Sequence, residues 1–475
     1  MSDFYLILVV ILGLLAIADL MVGVSNDAVN FLNSAIGSKV VSFKTLMVIA
    51  SLGVAFGAIS SSGMMEVARK GIFNPEMFVF SEIMIIFMAV MITDILLLDV
   101  FNSYGLPTST TVSIVFELLG AAVVISLIKL SALDLSLVEL SDYINTSKAT
   151  QIIFGIFFSV IVAFSIGALI QFISRIILSF KFEEKAKWMG SLFGGIALTS
   201  IFYFIVIKGL KGTPYSENQY DILGGLSISN FIDINLTMIV LLSLLILTIL
   251  SYLFNSVFKL NIYTLIICVG TFALALAFAG NDLVNFIGVP IAGYESFLAW
   301  SASGVSAESF TMEILSEKVS APTFILLGAG IIMVLTLWTS SKAKSVIKTS
   351  IDLSRQEETI ERFEPNFLSR FLVRAGSAFV ENFSKITPKP ILDFVDSQYI
   401  KPKINTLILR KDRPAFDKIR ASVNLVVAAI LISVATSYKL PLSTTYVTFM
   451  VAMGTSLADK AWGSESAVYR VAGVI

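Results

Sequence analysis

The sequence predicts an all-α, polytopic helical membrane protein assembled from two related halves. Apolar residues make up 56% of the 475 residues and charged ones 14%, and mean hydropathy is +0.88. No water-soluble packing hides that much apolar surface, whereas a bilayer solvates it. The apolar runs are continuous rather than alternating, which favours helices over a barrel. Two polar motifs each occur twice and in the same order. Ser25-Asn26-Asp27-Ala28-Val29-Asn30-Phe31 returns as Gly280-Asn281-Asp282-Leu283-Val284-Asn285-Phe286, and Leu106-Pro107-Thr108-Ser109-Thr110-Thr111 returns as Leu440-Pro441-Leu442-Ser443-Thr444-Thr445. Carboxylates and carboxamides at membrane depth are costly and normally functional.

About eleven apolar runs are long enough to be read as candidate spans, several interrupted by polar motifs. The first, Phe4 to Val24, has no basic leader or small-residue cleavage site and reads as a retained helix. Asn and Asp compete for backbone hydrogen bonds, so it is expected to unwind at Ser25-Asn26-Asp27. The run from Val40 to Ile59 carries Ser51, Gly53 and Gly57, which suits close helix contact. The span from Phe78 carries Asp94 and Asp99. Pro107 then opens a helix whose first turn is rich in hydroxyls, a ready site for an anion at the positive end of a helix dipole. Glu117, further along that helix, reads either as an extra acid on the same cavity or as a structural acid bonded to a partner.

Residues 149–259 supply linking helices, about Ala149 to Ser174, Gly190 to Ile207 and Ile234 to Phe254. Lys and Arg in the loop from Ser174 to Trp188 place it on the cytoplasmic side. The second half starts at 260; residues 292–322 are mixed, with room for a re-entrant piece, and Thr323 to Trp338 is apolar again. Residues 342–420 hold about half of all Lys and Arg and read as a charged cytoplasmic insert, partly helical over Ser354 to Arg374. Expected units are therefore 1–148, an N-terminal transmembrane repeat; 149–259, linking helices; 260–341, the first part of the C-terminal repeat; 342–420, the insert; and 421–475, the remainder. The last apolar stretch is too short to cross a bilayer, so the C-terminus is expected to be truncated.

There is no histidine, so any proton relay must use Asp, Glu or the substrate. The one cysteine, Cys268, excludes an intramolecular disulfide and makes a Cys-rich metal site implausible. With no evident nucleophile–base pair, a membrane-embedded phosphotransferase is disfavoured and the chain is expected not to be an enzyme.

Asn-Asp-x-x-Asn at Asn26 and Asn281, with Leu-Pro-x-Ser-Thr-Thr at Leu106 and Leu440, resembles the paired signatures of the PiT family of inorganic phosphate transporters. That resemblance covers most of the chain outside the insert. It implies two inverted-topology repeats with broken or re-entrant helices at the centre, and Na+- or H+-coupled phosphate symport. It places Asp27 and Asp282 on the family's essential aspartates, and Thr108, Ser109, Thr110, Thr111, Ser443, Thr444 and Thr445 on its phosphate-facing hydroxyls. Two departures stand out: Thr111-Val112 and Thr445-Tyr446 occupy the place of Ser-His, and no glutamate lies near Gly53 or Leu425. Na+ versus H+ coupling thus stays open.

The residues themselves argue for a cation. Two aspartates and an anion in one cavity repel unless a positive charge enters with them, and the motifs contain no arginine. Carboxylate, carboxamide and carbonyl oxygens are hard ligands suited to Na+. Asp27, Asn30, Asp282 and Asn285 are the expected Na+ ligands, with Asn26 and Asn281 on phosphate. Expected partners are inorganic phosphate, Na+ or H+ and the lipid bilayer, with a homodimer as candidate assembly and no nucleic acid. No cofactor is expected beyond Na+ as coupling ion, and the expected location is the bacterial inner (plasma) membrane. The competing functions are a permease for another oxyanion such as sulfate and an uncoupled anion channel.

Overall fold

The computed structural model describes residues 2–60, 72–134, 136–203, 216, 218–316, 322–356, 363–401, 413–437, 442–461 and 466–474. Sixteen helices order the described chain: α1 (Ser2–Ser38), α2 (Phe43–Ser60), α3 (Phe80–Tyr104), α4 (Thr110–Ala132), α5 (Leu140–Tyr143), α6 (Thr146–Leu178), α7 (Ser191–Phe202), α8 (Ile228–Ser256), α9 (Ile262–Ser303), α10 (Thr323–Thr339), α11 (Ser341–Ser354), α12 (Phe367–Ile386), α13 (Lys389–Gln398), α14 (Lys418–Ser437), α15 (Thr444–Ala458) and α16 (Ser466–Val474). The strands present among the described residues are Gln219–Tyr220 and Leu226–Ser227, which pair antiparallel.

Among the described residues 7 helices are long and apolar enough to cross a membrane: α1, α3, α4, α6, α8, α9 and α14. An eighth crossing results if α10 and α11, bent by 69° at their junction, form one span. The described residues thus supply 7 or 8 of the about eleven expected spans. The apolar α15, of 15 residues, is too short to span alone and packs instead against α6 and α14.

The two longest helices carry the Asn-Asp motifs. α1 has 37 residues and α9 has 42, and neither is broken at its motif, contrary to the expected unwinding. The reason is that the motif side chains find partners on other helices, described below, and leave the backbone ladder intact. The two helices pack on one another and on α2 and α14 around a core that includes Phe31, Phe278 and Phe286. Gly57 of α2 permits a close approach: a Cβ there would sit 2.3 Å from the Leu276 carbonyl of α9.

α3 ends at Gly105, which is left-handed (φ 64°) and directs its amide to the Asn102 carbonyl. Pro107 follows, and α4 begins with Ser109 as N-cap, its hydroxyl accepting from the Val112 amide at 3.1 Å. The second copy repeats this start, with Ser443 accepting from the Tyr446 amide at 3.0 Å; Leu440 and Pro441 lie outside the described residues.

After Ser303, the chain returns against the start of α3, where the Phe80 amide meets the Phe310 carbonyl and the Met312 amide meets that of Phe78. The described part of 304–316 contains only a short 3-10 turn, Glu313–Ser316, and no re-entrant helix. In the insert, α11 ends at Ser354 and α12 begins at Phe367, so the described residues of Ser354 to Arg374 are helical in part. α8 presents Ile234, Met238, Leu241 and Leu245 outward, each more than half exposed, as lipid contact requires.

Candidate functional site

The four motifs converge. Asp27 and Asp282 are both fully buried, one on α1 and one on α9, and each is held by threonines from two helix starts. Thr110 donates to Asp27 Oδ2 at 2.9 Å and Thr445 to Asp27 Oδ1 at 2.8 Å. Thr444 donates to Asp282 Oδ2 at 2.5 Å and Thr111 to Asp282 Oδ1 at 3.3 Å. Each aspartate therefore takes the first threonine of the Ser-Thr-Thr run in its own half and the second threonine of that run in the other half. The asparagines follow the same rule. Asn30 donates to Asp27 at 3.2 Å and to Thr445 Oγ1 at 3.0 Å, while Asn285 donates to Asp282 at 3.4 Å and to Thr111 Oγ1 at 3.0 Å.

This exchange is what a two-fold relation between the halves would generate, and it requires α1, α9 and the starts of α4 and α15 to meet at one point. The helix starts bring first-turn amides and the positive dipole end toward the same place. Among the described residues no basic side chain is hydrogen-bonded to either carboxylate.

The remaining expected site residues divide by role. Asn26 is fully buried and its amide is already engaged: Nδ2 donates to Asn102 Oδ1 at 2.8 Å and to the Leu106 carbonyl at 3.1 Å, and Oδ1 accepts from the Thr108 amide at 2.8 Å. It braces the Pro107 turn. Asn281 is half-buried and donates to Asp282 at 3.1 Å. Ser109 and Ser443 are buried and cap their helices, and the Thr108 side chain is half-buried beside them.

Several polar neighbours escaped the sequence reading. Asn102 of α3 donates to the Val22 carbonyl at 2.8 Å and so completes the Asn26 brace. Thr448 donates to Asn30 at 3.0 Å. One turn on, Asn33 donates to Ser350 of α11 at 2.8 Å, and Asn424 of α14 donates to Ser34 at 3.1 Å while accepting from Thr455 at 2.6 Å. A small cavity lies among Asn30, Asn33, Ser34, Ser350, Asn424 and Thr448. The continuation Asp27, Asn30, Asn33, Ser34 keeps to one helical face and was the available signal on α1. Ser350 had none, since it lies in a charged segment far along the chain.

A multi-span helical membrane protein with paired buried carboxylates and hydroxyl-rich helix starts at its centre belongs to the class of transporters rather than enzymes. The model of the phosphate transporter family matches residues 23–350, more than two thirds of the chain, and the chain belongs to that family. A protein assigned as a phosphate permease in Thermococcus kodakarensis is 26% identical over 320 residues, 65% of this chain and 68% of that one. A solved structure described as the sodium-dependent phosphate transporter has the same fold, with a TM-score of 0.58 at 17% identity, over 95% of this chain and 90% of the other.

Proposed function

We propose that the chain carries inorganic phosphate across the membrane together with Na+, or H+ in its place, by alternating access between two inverted-topology repeats. The observation that carries this reading is the exchange of threonines between the two aspartates. A hydroxyl has one proton to give. While Thr110, Thr111, Thr444 and Thr445 donate to carboxylates, none has a proton for an anion, and the two carboxylates repel phosphate.

A hard cation changes that balance. Na+ on Asp27 with Asn30, and on Asp282 with Asn285, satisfies the carboxylate oxygens and leaves the threonine protons free to turn. Four hydroxyls, the first-turn amides of α4 and α15 and the half-buried Asn281 then supply donors that replace phosphate's hydration shell. Asn26, Ser109 and Ser443 act by holding the two helix starts in place. Cation binding thus builds the anion site, and by linkage phosphate tightens cation binding by the same factor. Rocking of one half against the other separates both crossed pairs at once, Asp27 from Thr445 and Asp282 from Thr111. The sodium dependence named for the structural neighbour makes Na+ the first choice of cation.

The test is labelled-phosphate binding to purified protein at increasing Na+. Wild type should bind more tightly as Na+ rises, and Asp27→Asn or Asp282→Asn should lower that stimulation about tenfold or more while eluting as a folded monodisperse species. Full Na+ stimulation in both variants would remove the cation assignment.

A further inference from the structure

A second group of membrane-depth carboxyls stands apart from the Asp27–Asp282 pair. Asp19 lies on α1 about 12 Å along the helix from Asp27. Asp94 lies on α3, and Ser113 and Glu117 lie one turn apart on α4. Asp19 and Asp94 are 0% exposed and Ser113 is 8% exposed. Neither Asp19 oxygen has a hydrogen-bond partner, and Asp94 is the nearest acid acting on it. Ser113 Oγ touches Asp94 Oδ1 and lies 2.8 Å from Glu117 Oε1. The second oxygens of Asp94 and Glu117 are also buried without a partner.

Counting hydrogens sets a minimum for the protons in this group. Ser113 makes two oxygen–oxygen contacts, one to Asp94 and one to Glu117. Each contact needs one hydrogen between its oxygens, and Ser113 brings one. The other must be a carboxyl proton on Asp94 or Glu117, and Asp19 stands beside them with both oxygens buried and unpartnered. A fully ionised set would press bare lone pairs together in a low-dielectric interior. The titratable groups facing Asp19 are Asp94 on α3, Glu117 on α4 and, along its own helix, Asp27. The lysine at the head of α11, Lys342, is engaged with Asp99 at 2.6 Å.

The location couples this proton count to transport. α1 carries Asp27 and α4 carries Thr110 and Thr111, so a displacement between these helices breaks contacts in this group and changes how many protons it holds. We infer that Asp19, Asp94, Ser113 and Glu117 form a proton-binding site, separate from the phosphate and Na+ ligands, that takes up and releases a proton during the transport cycle. The inference rests on the transport reading above and adds a proton to its ion inventory.

The experiment measures phosphate uptake into proteoliposomes across a pH series at a fixed Na+ gradient, for wild type, Asp19→Asn and Glu117→Gln. Each amide mimics a permanently protonated carboxyl. Phosphate's own titration is identical in every sample, so the ratio of variant to wild-type uptake isolates the cluster. The expected result is a ratio that changes by about tenfold per pH unit over the range in which the cluster titrates. A flat ratio for both variants overturns the inference. Infrared spectra of the wild-type protein provide a readout independent of variant folding. A protonated-carboxyl band at neutral pH that shifts on adding Na+ with phosphate supports the site; absence of the band, or its removal by Na+ alone at constant pH, overturns it. Absence of wild-type uptake would count against transport itself, whereas the infrared titration would still report the protons.

Discussion

Replacing Thr111 or Thr445 with valine removes one hydroxyl at nearly constant shape, and the geometry gives opposite expectations for the two ligands. Thr445 donates to Asp27 at 2.8 Å and Thr111 to Asp282 at 3.3 Å. In the cation-loaded state that proton is assigned to phosphate, so its loss removes a hydrogen bond to a charged group, about 1.5–3 kcal/mol. That corresponds to a phosphate affinity about 10- to 150-fold weaker. Na+ binding without phosphate should change far less. The lost hydroxyl is both a potential cation ligand and a donor competing for the carboxylate, and the two effects oppose one another. Radiolabelled Na+ and phosphate binding, each measured alone and together, reads both quantities. Unchanged phosphate affinity in both variants, or equal losses for both ligands, would refute the idea that a cation frees the threonine protons.

Four further substitutions test the scaffold. Arg175 is fully buried, holds Asp459 through two nitrogens at 2.9 and 2.7 Å and meets Asp417 at 2.8 Å, tying α6 to the start of α14 and the end of α15. Arg175→Ala leaves two carboxylates without their cation and should cost about 3–5 kcal/mol, visible as a lowered melting temperature in detergent. Burial pushes the Asp417 carboxyl up, but Arg175 outweighs it and holds the group below its usual range. The folded value is the lower one, so this stabilisation is complete at neutral pH and is lost as pH falls through it, below about 4. Asp417→Asn should blunt the acid dependence of the melting temperature. Gly57→Leu drives a side chain into the Leu276 carbonyl and should destabilise by about 1–3 kcal/mol, whereas Gly120→Leu, with nothing within 4 Å of its Cβ, should be tolerated.

What was legible in the sequence was whatever had been written twice. Asp27 and Asp282, Asn30 and Asn285, and the threonines after Pro107 and Pro441 stood out because each copy vouched for the other. The structure brings the described members together. Their pairing across halves was not legible, since no local pattern says which aspartate receives Thr111 and which Thr445. The expectation that α1 unwinds at its motif failed for a related reason: a motif read locally offers only its own backbone as partner, whereas in the fold the partners come from α4 and α15. Asn26 carried the signal of a ligand and turned out to brace a turn, because its partners Asn102 and Leu106 are distant in sequence. Asp19 drew no notice as a single acid in an apolar run with no second copy. Only the arrival of Asp94 and Glu117 from other helices gives it meaning.

The most direct test of the central claim is labelled-phosphate uptake into proteoliposomes, with imposed Na+ and proton gradients varied independently and sulfate present as competitor. Coupled transport with a cation-built anion site predicts accumulation above equilibrium that requires the Na+ gradient, grows with it and resists sulfate. Uptake that only equilibrates, whatever ion gradient is imposed, or that sulfate abolishes at equal concentration, would contradict the account.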